Sequence, residues 1–245
     1  MASGAGWRSV TDDPNAPAVQ RSRREALAAL RSATLVDNRA EYLARLATGR
    51  KVLDVGVVAH TPEAYQDPSW LHRLIAAAAA SCLGCDVLPE QVEVLRSLGF
   101  NVVCHDVTTA PLNQVFDMII AGEVIEHLDR PGPFFESCAK MLARDGKLVL
   151  TTPNPFFVTY ALKGLLRGQP LVDSVDHVAW YDPATLYELG GRKGFRLERF
   201  TGVRVTETPT ARARVIFGAL RLLQGLVLRP EALAQTIIYE FARVA

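Results

Sequence analysis

The feature that most constrains this chain is an alternation of two patterns. Short apolar runs that read as buried strands are separated by stretches with helical spacing. The runs are Lys51 to Val55, Cys82 to Asp86, Phe100 to Cys104, Val115 to Ala121 and Gly146 to Thr152. Helical spacing covers Gln20 to Ala47, with a break at Asp37-Asn38, then Trp70 to Ala80, Pro89 to Leu98 and Pro131 to Leu142. Asp182-Pro183 opens one more helix, because Asp is a favoured N-cap and Pro suits the first helical position. Phe195 to Val203 and Thr236 to Arg243 read as two last strands. Parallel strands need a crossover, usually a helix, so this order predicts an α/β fold: a mainly parallel sheet with helices on both faces.

Such a sheet needs a sizeable core, and 245 residues with 49% hydrophobic content can supply one. A single domain is expected over residues 20–245, after a flexible tail over 1–19 rich in Gly, Ser, Asp, Pro and Ala. Two segments stand outside the alternation, 156–171 and 207–231. In the second, Arg212, Arg214, Arg221 and Arg229 lie among Ile, Phe, Leu and Val, with no acid from 211 to 230. That pattern suits a packed amphipathic helix, a cover for a site, a homodimer interface, or contact with a membrane surface or lipid-linked substrate. A net charge of +1, from 27 basic and 26 acidic side chains, argues against a dedicated nucleic-acid binder. Four cysteines make no disulfide framework. The N-terminus lacks a basic stretch followed by an apolar one, and no apolar run reaches the roughly 18 residues of a membrane span. The expected location is the cytoplasm.

Acids stand at the ends of successive strands. Asp54 and Gly56 close the first, Asp86 closes the second, and Asp106 follows the third. In doubly wound sheets ligands bind at the carboxyl ends of the strands, where a glycine allows close backbone approach and an acid can accept ribose hydroxyls. Each acid alone could merely cap a turn, but three in register point to a nucleoside-like ligand. The blocks VLDVG (52–56), GCD (84–86), CHD (104–106), FDMIIAGEVIEHL (116–128), DGKLVLTTPNPF (145–156) and DHVAWYDPATLYELGGRKGF (176–195) resemble class I S-adenosylmethionine-dependent methyltransferases. The resemblance runs in order from about residue 40 to 205. It implies a Rossmann-like, seven-stranded, mainly parallel sheet with an antiparallel last strand. It also implies S-adenosylmethionine as cofactor, with Asp54 and Gly56 near its methionine part. Asp86 and Val87 would then lie by the ribose, and Asp106 and Val107 by the adenine.

The family's glycine loop is usually G-x-G-x-G, whereas this chain reads Gly56-Val-Val-Ala-His60, followed by a longer Thr61 to Ser69 stretch. Neither Val58 nor His60 adopts positive φ as readily as glycine. The loop is therefore expected to avoid the tight glycine turn, with His60 remodelling the pocket and Trp70 or His72 walling it. Both histidines could equally be structural.

Glu123, Glu126 and His127 are spaced to share one face of a helical turn, and His177 arrives from a later loop. Two carboxylates and two imidazoles can close around a divalent ion such as Mg, Mn, Fe or Zn. The pattern resembles small-RNA 3′-terminal 2′-O-methyltransferases and ubiquinone-pathway O-methyltransferases. That resemblance makes Glu123, Glu126, His127 and His177 the metal ligands. In metal-free relatives of the same motif, the acid, Glu123, contacts the cofactor and the histidine acts as a base or packs. His127 and His177 are the base candidates for deprotonating an alcohol, with Tyr181 as a third that can also simply pack. Cys82, Cys85, Cys104 and Cys138 are expected in the core.

The expected activity is methylation of a hydroxyl on a small natural-product or sugar-containing acceptor, with or without a metal. The alternatives are N-methylation of an amino sugar or amine, and RNA 3′-terminal 2′-O-methylation, which the balanced charge disfavours. The incomplete glycine loop also admits a cofactor-binding regulatory partner that is not an enzyme. The segments over 156–171, with Lys163 and Arg167, and over 207–231 are expected to shape acceptor choice.

Overall fold

The computed structural model describes residues 11–59, 61–168, 174–204 and 229–244. The start of the expected tail, His60, the end of the 156–171 segment and nearly all of 207–231 lie outside the described residues. Helix α1 (Pro17–Leu30) and helix α2 (Arg39–Ala47) precede strand β1 (Lys51–Val55). α1 starts with Pro at its first turn, three residues before the apolar spacing that begins at Gln20. The expected break at Asp37-Asn38 is the start of α2, where the Asn38 side chain accepts from the Glu41 N–H at 3.1 Å. Then follow α3 (Leu71–Ala78), β2 (Ser81–Asp86), α4 (Pro89–Ser97), β3 (Val102–Cys104) and β4 (Phe116–Gly122). α5 (Pro131–Met141), β5 (Leu142–Pro153), α6 (Val158–Arg167), α7 (Pro183–Arg192), β6 (Phe195–Arg204) and β7 (Ala234–Arg243) complete the order. The Asp182 side chain caps α7 by accepting from the N–H groups of Ala184 and Thr185, and the Asp182 N–H donates to the Thr185 hydroxyl.

The seven strands form one sheet in the order β3-β2-β1-β4-β5-β7-β6. β1 to β5 are parallel, and β7 is antiparallel to both of its neighbours. This matches the fold class that the sequence implies. β1 is flanked by β2 on one side and β4 on the other, so successive crossovers leave it in opposite directions and open a crevice at its carboxyl end.

Side chains alternate across each strand, and that parity divides the core. Met118 and Ile120 of β4 pack with Val52, with Leu43 and Ala47 of α2, and with Ile75 of α3. Ile119 and Ala121 face the other way, onto Phe134, Phe135, Cys138 and Met141 of α5 and Leu186 of α7. Cys82, Cys85 and Cys138 sit in or against these layers, whereas Cys104, expected in the core, is exposed where β3 ends. Among the described residues no helix is long and apolar enough to cross a membrane.

Candidate active site

A cleft of about 1600 Å³ opens at the carboxyl ends of β1, β2 and β4. Pockets for a single small ligand usually span roughly 300–1,000 Å³, so there is room for two molecules side by side. Its floor begins at Gly56, whose φ of 77° lies in the left-handed region that favours glycine. A Cβ there would collide with the Val124 side chain. Asp86 is turned toward the cleft mouth, with Oδ2 accepting from the Val58 N–H at 2.9 Å and Oδ1 from the Val87 N–H at 2.7 Å. Asp106 lines the far end beside Val107, its carboxylate accepting from the Thr108 N–H and hydroxyl at 2.8 and 2.7 Å. Gly56, Asp86, Val87, Asp106 and Val107 all line this cleft.

Asp54 and His72 do not line this cleft. On β1, Leu53 and Val55 face α5, so Asp54 points to the opposite side, under α3. His72, in the first turn of α3, meets it there with Nδ1 2.8 Å from Asp54 Oδ2, and both side chains are only 2% exposed. The His72 ring also presses on β2, where a Cβ on Gly84 would come 2.8 Å from its Cε1. The pair is a buried tie between β1 and α3. Trp70, in contrast, reaches the cleft wall. It packs on Tyr65 at 5.1 Å and on Phe100 at 4.9 Å between ring centroids. The loop after Gly56 makes no second left-handed turn among the described residues. A 3₁₀ turn over Pro62–Gln66 takes its place, and Arg73 donates to the Tyr65 carbonyl at 2.6 Å to anchor it.

Glu123 stands at the end of β4 with a φ of 57°, uncommon for a residue with a side chain. The chain then tightens into a 3₁₀ turn, Ile125–His127, rather than an α-helical one. Spacing that would put three side chains on one helical face therefore fails at Glu123. Its carboxylate accepts instead from Arg39 Nη1 at 2.8 Å and from the Thr151 hydroxyl at 2.9 Å. Glu126, His127 and His177 do converge, with one potential ligand atom from each within 4.8 Å of the others. The His127 and His177 rings meet edge-on, 4.7 Å between centroids. Val178 and Ala179 N–H groups both donate to the Glu126 carbonyl, which stitches the two segments together. Glu126 is 1% exposed and both of its carboxylate oxygens are buried without a hydrogen-bond partner. Burial, and secondarily the nearby Glu123 carboxylate, pushes its carboxyl up to about 8, outweighing the smaller opposing pull of the Thr152 hydroxyl and Arg39.

Three more residues belong to the site; Arg39 and Tyr160 carry no distinctive signal in the sequence, and Asp176 only its place at the head of the 176–195 block. Arg39 opens α2 and its guanidinium enters the cleft. Asp176 sits 3.1 Å from His127 Nδ1. Tyr160 of α6 lines the cleft, where Gln235 donates to its hydroxyl at 3.1 Å. Tyr181 packs in the core, and burial raises its phenol above the usual value.

A methyltransferase domain profile matches residues 20–199. The chain belongs to the methyltransferase domain family. This S-adenosylmethionine-dependent methyltransferase is similar to two proteins named ubiquinone biosynthesis O-methyltransferase. The one from Actinobacillus pleuropneumoniae is 30% identical over 176 residues, covering 60% of this chain and 71% of that one. The one from Coxiella burnetii is 25% identical over 167 residues, covering 63% and 67%. Its fold is similar to that of a SAM-dependent methyltransferase from Archaeoglobus fulgidus, with a TM-score of 0.56, 17% identity and 90% and 94% of the two chains covered. It also resembles magnesium protoporphyrin IX methyltransferase from Synechocystis, with a TM-score of 0.53, 16% identity and 96% and 99% covered.

The residues of this methyltransferase fit the cofactor. The left-handed Gly56 admits a ligand against the backbone, Asp86 Oδ2 keeps a lone pair for a ribose hydroxyl, and Asp106 with Val107 bounds the end expected for adenine.

Proposed function

We propose that this methyltransferase acts on a hydroxyl oxygen of a small acceptor, natural-product-like or sugar-containing, with a divalent ion held by Glu126, His127 and His177. One observation carries the reading: a buried carboxylate with two orphaned oxygens lies behind two imidazoles that line the cofactor cleft. A carboxyl buried this way must keep its proton or gain a cation, and a divalent ion shared with the two imidazoles would supply one. The names of the similar proteins support oxygen as the methylated atom.

When bound, S-adenosylmethionine supplies a methyl group on a positively charged sulfur, and a divalent ion makes a neighbouring hydroxyl easier to deprotonate. The chain's own residues do the rest. Arg39 presents its guanidinium at the methionine end of the cleft, where a carboxylate would pair with it. Glu123 and the Thr151 hydroxyl hold Arg39 in place. Asp86 and Asp106 fix the nucleoside. Tyr160, Gln235 and Thr236 bound the acceptor side, so much of the rate comes from holding the oxygen in line with the methyl group. Three protein ligands leave coordination positions open, which suits an acceptor with two adjacent oxygens, a vicinal diol or a catechol.

The test is methyl transfer to a panel of diols and catechols by purified protein. Chelation should abolish turnover, added Mg, Mn, Fe or Zn should restore it, and His177→Ala should raise the metal concentration required. Equal turnover in excess chelator would refute the metal reading. His127 or His177 would then serve as a simple base, and amines would move ahead of diols as acceptors.

A further inference from the structure

We infer that Asp176 is a positioning residue for His127, fixing which ring nitrogen faces the ion. The inference rests on the metal reading proposed above. Asp176 lies on the loop before α7, next to His177, with Oδ2 3.1 Å from His127 Nδ1. An ionised carboxylate can only accept, so at 3.1 Å it favours the tautomer that carries the imidazole proton on Nδ1. Nε2 then keeps its lone pair for a metal. The other Asp176 oxygen is held by the Ser174 hydroxyl, so the carboxylate is itself oriented.

The distance is set by the main chain as much as by the side chains. The Val178 and Ala179 N–H groups reach the Glu126 carbonyl at 2.9 and 3.2 Å, which fixes the loop carrying Asp176 against the turn carrying His127. The His127 ring is also confined by the His177 ring, which stands at 84° to it. Asp176 is not among the converging ligand atoms, so its role is toward His127 rather than toward the ion. Its side chain is 60% exposed, and an ion-pair contact in that setting is weaker than a buried one. The effect should therefore fall at the lower end of what partners of metal-bound histidines contribute, about tenfold in metal affinity.

The experiment is a titration of the metal-free full chain with cobalt(II) and zinc(II). Cobalt is followed by its visible absorption and zinc by competition with a chromophoric chelator. Asp176→Ala should weaken both ions about tenfold and alter the cobalt spectrum, whereas Asp176→Asn, whose amide oxygen still accepts from Nδ1–H, should stay within about threefold of wild type. Thermal melting of the metal-free variants checks that all are folded. Wild-type affinity and spectrum in Asp176→Ala would overturn the inference. A loss in Asp176→Asn as large as in Asp176→Ala would overturn it too, because charge rather than orientation would then be the cause. If wild type binds neither ion, the metal reading itself fails and takes this inference with it.

Discussion

Glu126→Gln offers the sharpest test of the site's electrostatics, because it removes a charge and keeps the shape. In the metal-free protein the Glu126 carboxyl is pushed from an ordinary 4.5 to about 8 by burial, with Glu123 adding to it. A native group that holds its proton more tightly than the unfolded chain stabilises the protein below about pH 4.5. That stability is lost as pH rises toward about 8, because the unfolded state binds fewer protons in between. At about 1.4 kcal/mol per tenfold in proton affinity, the full span amounts to roughly 5 kcal/mol, and water entry on relaxation should reduce it to a few. Glutamine resembles the protonated acid, so Glu126→Gln should lack this slope. The assay is urea denaturation of both proteins in chelator at pH 5, 7 and 8.5. Wild type should lose a few kcal/mol relative to Glu126→Gln between the lowest and highest pH, and added divalent ion should restore wild type only. Parallel pH profiles for the two proteins would refute the reasoning, since they would mean that Glu126 ionises freely where it stands.

The remaining expectations concern the cofactor. Asp86→Ala should weaken S-adenosylmethionine and its demethylated product by about 1.5–3 kcal/mol, read by calorimetry, because it removes a charged acceptor together with the tether on the Val58 N–H. Gly56→Ala should cost about 1–2 kcal/mol in backbone strain at a φ of 77°, plus the clash with Val124. Adding Val124→Ala should recover only the clash, which thermal melting of the single and double variants separates. Arg39→Ala should raise the KM for the cofactor about tenfold or more with a smaller change in kcat, and Arg39→Lys should recover part of it. Unchanged cofactor KM in Arg39→Ala would place the methionine carboxylate elsewhere.

Much of the fold was legible in the order of apolar runs. Parallel strands need helical crossovers, and the strand-ending Asp86, Asp106 and Gly56 fall on the cleft because every parallel strand points its carboxyl end the same way. The Asp182 cap and the break at Asn38 were equally readable, since capping depends on a few neighbouring residues.

Which side chain meets which required the tertiary structure. Asp54 sits in a motif that reads as cofactor-binding, but strand parity turns it under α3, and His72 waits there because α3 packs on that face. Glu123 reads as a metal ligand only if its turn is α-helical. A left-handed residue followed by a 3₁₀ turn swings it to Arg39, which lies 84 residues earlier in the chain. Arg39, Asp176 and Tyr160 are ordinary residues in the sequence, made functional by elements that arrive from other parts of the chain. The physical reason is range. Strand, helix and cap follow from interactions within a few residues, which the sequence displays in order. A site is assembled by long-range packing, where a single residue of parity or one turn of a different pitch decides whether a side chain faces the ligand or the core.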